Sequence, residues 1–201
     1  MSELTVLQAV RLKGRVSEAD LLATLGECEA DVAAIVAQLT AAGMLMEGKP
    51  VRITPEGRER LNTLLTHERS GVDQTALAQT YGEFRTVNGE FKAVVAAWQL
   101  KDGQPNMHDD ADYDAAIFDR LDIVHRRVSP ILGAVASLLP RLGGYGDKLD
   151  SALAKVKAGD TTWFTRPIID SYHTVWFELH EELIAASGLT REDEARAGHA
   201  D

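Results

Sequence analysis

Three observations predict a mainly α-helical protein built in two parts. Apolar residues recur at helical spacing along most of the chain. That period breaks once, over residues 44–54, for a short alternating stretch. The charge balance also changes along the chain. Residues 1–65 carry 7 Lys and Arg against 9 Asp and Glu, and the remainder carries 14 against 22, so most of the net charge of −10 belongs to the second part. A hydrophobic content of 45% is enough for a packed core. No apolar run reaches the ~20 residues needed to cross a bilayer. The opening Met1-Ser2-Glu3-Leu4 lacks the pattern of a signal peptide, and the single cysteine, Cys28, has no internal partner. These features place the protein in the cytoplasm, away from membranes.

The first part reads as three helices, a hairpin and a helix. Leu4, Val6, Leu7, Val10 and Leu12 give an amphipathic first helix that ends at Gly14. Ser17, with Asp20 three residues on, starts a second helix, which Gly26 closes. The third runs from about Glu29 to Ala42, with Val32, Ile35, Val36 and Leu39 inward and Gly43 at its end. Met44–Glu47 and Val51–Thr54 read as two strands around Gly48-Lys49-Pro50. Pro55 then occupies the first position of a fourth helix. Three helices plus a two-stranded wing make a winged helix-turn-helix domain over residues 1–68. The stretch "AAGMLMEGKPVRITPEGRERL" resembles the same region of MarR- and PadR-like regulators, through Gly43, Met44, Leu45, Ile53, Thr54, Pro55, Gly57 and Arg58. The resemblance covers about a third of the chain and implies a fold that serves DNA binding or protein docking.

Residues 72–201 read as an all-helical bundle. Leu77, Tyr81, Phe84, Val87, Phe91, Val94, Val95 and Trp98 mark a long helix over 72–100. Residues 101–112 form a polar loop. A helix over about 112–127 follows, and Pro130 begins or kinks the next. The run Gly143-Gly144-Tyr145-Gly146 is read as a break before a short helix over about 147–158. The last helix, about 167–187, carries Tyr172, Trp176, Leu179 and Leu183 on one stripe and His173, Phe177 and His180 on the next. Together the stripes cover most of its circumference, so it belongs at the centre of the domain. A second resemblance covers most of residues 80–190. The runs "WQLKDGQPNMHDDADYDAAIFDRL" and "GDTTWFTRPIIDSYHTVWFELHEELI" look like a helical domain of actinobacterial proteins related to phosphoenolpyruvate-utilising dikinases. It implies an accessory role beside a phosphotransferase and transfers no catalytic residue.

For a DNA-binding role, Lys13, Arg15, Lys49 and Arg52 are the expected phosphate contacts, and Gln38 and Thr40 the neutral readers on the third helix. Against this, the third helix carries no Lys or Arg, and Glu27, Glu29 and Asp31 crowd its start. Those acids suit the helix dipole but repel phosphates. In the second part, Asn88, Trp98, Asn106, His108, Tyr172, His173, Trp176 and His180 are the residues expected around a ligand pocket, as aromatic walls with a few polar groups. His173 and His180 lie two turns apart, about 10 Å along the axis. A single metal would therefore need His108, Asp109 or Asp110 brought in from the loop, and hydrogen bonding to neighbours is the simpler reading of the pair. Asp109, Asp110 and Asp112 suit a helix start, and the loop lacks the calcium-binding pattern of an EF-hand. His125-Arg126-Arg127 is read as a basic helix end or an anion contact. No nucleophile elbow, phosphate loop or zinc-ligand spacing occurs, so neither an enzymatic activity, a metal nor a cofactor is expected. The expectation is a winged-helix transcriptional regulator, a homodimer with a helical dimerisation or effector domain. The alternative is a non-enzymatic docking subunit of a phosphoenolpyruvate-utilising, phosphotransferase-type enzyme.

Overall fold

A computed structural model describes residues 2–26 and 28–198. Glu27, one of the three acids read at the start of the third helix, lies outside the described residues. The protein is mainly helical, and no helix is long and apolar enough to cross a membrane. The chain divides into two compact units, Met1–Gly71 and Val72–Asp201.

In the first unit, α1 (Glu3–Lys13), α2 (Glu18–Leu25), α3 (Glu29–Ala41) and α4 (Pro55–Ser70) surround a small core. Five successive residues of α1, Val6 to Val10, are buried. This helix is therefore the unit's centre, packed by α2, α3 and α4, and not the one-sided amphipathic helix its pattern suggested. Ser17 caps α2 by accepting from the Asp20 amide. Helix α3 ends in a Schellman turn. Gly43 takes a φ of 73°, its amide donates to Thr40, and the Met44 amide reaches back to Leu39. The two strands expected over 44–54 are reduced to bridges. Leu45 pairs with Ile53, and the amides of Met46 and Thr54 donate to Arg52 and Met44. Val16, which the sequence placed in a connection, pairs with Val51 through reciprocal backbone bonds of 3.2 and 2.9 Å. Thr54 then caps α4, while its hydroxyl also donates to the Gly43 and Met44 carbonyls.

The second unit is built on α5 (Gln74–Gln99) and α6 (Ala111–Leu138), which pack along each other. The residues between them are not merely a loop. Leu100–Lys101 (β1) and Gln104–Pro105 (β2) pair antiparallel around Asp102-Gly103, both with positive φ, so the unit is not all-α. Asp110 caps α6 by accepting from the Tyr113 amide.

Helix α6 runs unbroken through Pro130, where a boundary or kink was expected. Two facts explain this. Pro130 and Arg126, whose carbonyl loses its amide donor, are both exposed residues. The buried series Leu121, Val124, Val128, Ile131, Leu132 and Val135 also keeps helical spacing across it, so packing outweighs local preference. His125-Arg126-Arg127 therefore sits inside a helix and not at its end. His125 contacts Tyr172 and Asp150, and Arg127 pairs with Glu90. The glycine run does fall at a break, between α6 and α7 (Gly144–Lys157), but α7 begins inside the run and not at about 147, directly after a 3-10 turn at Pro140–Leu142. The last third holds α8 (Thr162–Thr165), α9 (Tyr172–Ala186) and α10 (Arg191–Arg196). Tyr172, Val175, Trp176, Leu179 and Leu183 of α9 are at most 2% exposed.

Gly57 marks the closest approach in the first unit. A β-carbon there would overlap the Met44 carbonyl oxygen and lie 2.8 Å from Ile53 Cγ1. Gly57→Ala is expected to destabilise this unit by roughly 1–3 kcal/mol, the usual cost of overpacking. The amides of Val16, Met46, Val51 and Thr54 should then exchange with solvent faster. Unchanged protection at these four amides would mean that the contact does not constrain the turn.

Candidate functional site

Within the second unit, α5, α9 and Arg191 of α10 line a solvent-open cavity of about 560 Å³. Helical periodicity places its walls. On α5, Asn88, Phe91, Lys92, Val95, Ala96 and Gln99 recur at three- and four-residue steps and so share a face. On α9, His173, Trp176, Phe177 and His180 do the same, and α10 contributes Arg191.

The aromatic side chains form a ladder. Phe91 stacks on Trp176 at 4.3 Å between centroids and on His173 at 6.0 Å. Phe84 also stacks on Trp176, 5.2 Å between centroids. The indole N–H of Trp176 donates to Asn88 Oδ1 at 2.8 Å, which fixes the ring and gives the buried amide a partner. Arg191 donates to Glu181 at 2.6 Å and lies over Phe177, 4.7 Å from its centroid.

His180 links the cavity to a buried polar network. The Tyr81 hydroxyl donates to Glu194 Oε2 at 2.7 Å. Its oxygen is then free to accept from His180 Nε2, 3.1 Å away, which places the imidazole proton on Nε2. Arg85 donates its Nε to Glu194 at 3.0 Å, pairs with the second carboxylate oxygen through Nη2, and covers the Tyr81 ring. Burial, aided by Arg191 and Lys92 and opposed by Glu194 and Glu181, pushes the His180 pKa down to about 4. Burial also lowers that of His173. Both imidazoles are therefore neutral at pH 7. Burial, with Glu194 beside it, raises the Tyr81 pKa, so its hydroxyl keeps its proton.

Four of the eight residues expected around a pocket meet here, namely Asn88, His173, Trp176 and His180. Trp98, Asn106 and His108 form a separate cluster beside the β1–β2 hairpin. The His108 ring lies 4.0 Å from that of Trp98, its Nδ1 pairs with Asp114 at 3.0 Å, and the Asn106 amide donates to Trp98 O and Asp114 Oδ1. Tyr172 is fully buried and bonds His125 Nδ1 at 3.2 Å. The loop thus brings no third ligand to the two histidines. Among the described residues no group of three His, Cys, Asp or Glu is placed to hold a metal. Sequence reasoning missed Lys92, Gln99 and Arg191. The first two were recoverable, since they follow Asn88 by four and eleven residues on one helix face. Arg191 was not, because it enters from a separate short helix.

In the first unit, Gln38 and Arg15 are exposed, while Lys13, Thr40 and Arg52 are half-buried. The Thr40 hydroxyl is bonded to the Val36 carbonyl at 2.8 Å, and Lys49 reaches Glu18 at 3.1 Å. Both contacts reduce what these side chains offer to a ligand. The exposed surface of α3 is Glu29, Ala30, Asp31, Ala33, Ala34, Ala37, Gln38 and Ala41.

No family model, curated protein or solved structure matches this chain.

The neutral His180 sets a pH dependence. Its folded pKa, about 4, lies below the ordinary histidine value of 6.5, so the unfolded chain binds the proton more readily. Stability is therefore complete above pH 6.5 and falls as the pH drops from 6.5 towards 4, by roughly 2–3 kcal/mol from this group. His173 acts in the same direction. His180→Gln should flatten this slope in urea titrations followed by tryptophan fluorescence. An equal slope in the variant would exclude His180 as its origin.

Proposed function

We propose that the protein is a winged-helix transcriptional regulator that acts as a homodimer, and that its second unit holds a small-molecule effector. The observation that carries this reading is the arrangement of residues 29–58. Helix α3 stops at the Gly43 turn. The chain returns through the Leu45–Ile53 bridge, Val51 is clasped by Val16, and Thr54-Pro55 opens α4. This supports reading residues 44–54 as a short wing beside a recognition helix, the geometry that lets a helix enter the major groove while the wing holds phosphates. The sequence resemblance to MarR- and PadR-like regulators supports it too. Lys13, Arg15, Lys49 and Arg52 would hold the backbone, and Gln38 would read base edges. The cavity of the second unit supports the effector role.

One observation favours a second reading. The exposed face of α3 is acidic at its start and otherwise mostly alanine. Such a face repels phosphates but permits close approach of another helix. It supports a non-enzymatic docking subunit, in line with the resemblance of residues 80–190 to a domain associated with phosphoenolpyruvate-utilising dikinase-like proteins.

Fluorescence anisotropy with DNA from the upstream region of its own gene, against scrambled DNA, separates the two. A regulator binds its own sequence preferentially at about 150 mM salt, and Lys49→Ala with Arg52→Ala weakens binding and flattens its salt dependence. Weak binding that is lost equally for both DNAs as salt rises rejects the regulator in favour of the docking subunit.

A further inference from the structure

We infer that the cavity lined by α5, α9 and Arg191 takes an uncharged molecule with an apolar body and a hydroxyl group, and that this hydroxyl donates to His180 Nδ1. The inference rests on reading the second unit as an effector domain. His180 is 9% exposed, and its Nε2 proton is committed to the Tyr81 oxygen, so Nδ1 carries the lone pair. The tautomer is held in place, because Tyr81 gives its own proton to Glu194, which Arg85 grips. Nδ1 is thus an acceptor only. Among the described residues it has no hydrogen-bond partner, and it is not one of the atoms that the fold seals from solvent without one. It therefore opens on the cavity that His180 lines. A nearly buried acceptor left unpaired is costly, and a ligand O–H meets that need. His173, the other histidine of the wall, is half-buried and open to water. The rest of the wall favours an uncharged body. Its cations, Lys92 and Arg191, already have partners within the protein, and among the described lining residues none is Asp or Glu. Both histidines are neutral at pH 7. An ion would compete with existing pairs, whereas an uncharged molecule does not. The exposed wall residues include Ala93, Ala96 and Phe177, which offer apolar contact. A volume of about 560 Å³ fits one small molecule.

The probes are 1-octanol and its isomer 1-methoxyheptane, which has the same atoms and no O–H to donate. Titration calorimetry with the full chain at pH 7 is expected to show saturable binding of the alcohol at one equivalent. The alcohol should bind about threefold to tenfold more tightly than the ether, the scale of one net hydrogen bond. Nitrogen NMR of the imidazoles in the unaltered protein locates the contact. The Nδ1 resonance of His180 should move when the alcohol is added and stay in place with the ether. His180→Phe, which has no acceptor, should remove the preference for the alcohol while the ether binds no worse. His180→Gln, which keeps an acceptor oxygen on a side chain of similar reach, should retain part of the preference.

Equal binding of the two isomers, no saturable binding, a still His180 Nδ1 resonance, or a preference for the alcohol that survives in His180→Phe would each overturn the inference. Should His180→Phe fail to fold, the two titrations and the resonance of the unaltered protein decide alone. The titrations contain no DNA, so their failure is distinct from failure of the regulator reading, which the anisotropy experiment tests.

Discussion

The buried carboxylate of Glu194 is the constraint on which the C-terminal part of the second unit depends. Its residue is 1% exposed, and an ionised carboxylate in such a place is stable only when its oxygens are bonded and its charge is met. Arg85 meets the charge and Tyr81 fills the remaining position, both from α5. A helix of six residues cannot hold itself in water. The Thr190 capping box and this three-way contact therefore fix α10, and with it Arg191 at the wall of the cavity. Because Tyr81 also receives His180, the same group that anchors α10 sets the tautomer of a cavity imidazole.

Helix α9 is the second consequence. A helix buried around most of its circumference has to place its polar residues against partners. Trp176 spends its N–H on Asn88, and Glu182 takes Arg141 at 2.6 Å with both side chains nearly buried. Tyr172 meets His125, which in turn holds Asp150. Each bond crosses to a different element, so the register of α9 against α5, α6 and the turn before α7 is fixed by polar geometry as well as by packing. Pairs of this kind add little net stability, but removing one partner leaves a costly buried group. They select one arrangement of an aromatic core that shape alone would leave degenerate.

Much of this architecture was legible in the sequence where local chemistry acts alone. Ser17, Thr54 and Asp110 cap helices as their residue types require, and the stripes of α9 were visible as periodicity. At one position a local signal lost to tertiary packing. Pro130 reads as a break, yet the apolar series on either side keeps helical phase and carries the helix through. The Asp102-Gly103 pair shows the opposite error, for its hairpin signal was present but hidden among polar residues. For the site, spacing on α5 and α9 brought Asn88, His173, Trp176 and His180 to facing surfaces. Trp98 and His108 went elsewhere because the hairpin folds His108 onto Trp98 and Asp114. No periodicity rule encodes the arrival of Arg191.

The chemistry of α3 bears on the assembly that the regulator reading requires. Thr40 is committed to the Val36 carbonyl, so Gln38 is the neutral side chain left on that helix face to read a base. One good bidentate contact discriminates by about 1–3 kcal/mol, whereas specific sites are typically favoured over random DNA by about 4–10 kcal/mol. A single copy with one reader falls short of that range. Two copies on symmetric half-sites double the readout and the number of phosphate contacts, and DNA shape supplies the rest. Pairing of subunits is therefore a physical requirement of the DNA-binding reading. The docking reading carries no such requirement, because an alanine face with an acidic rim can meet a single partner helix.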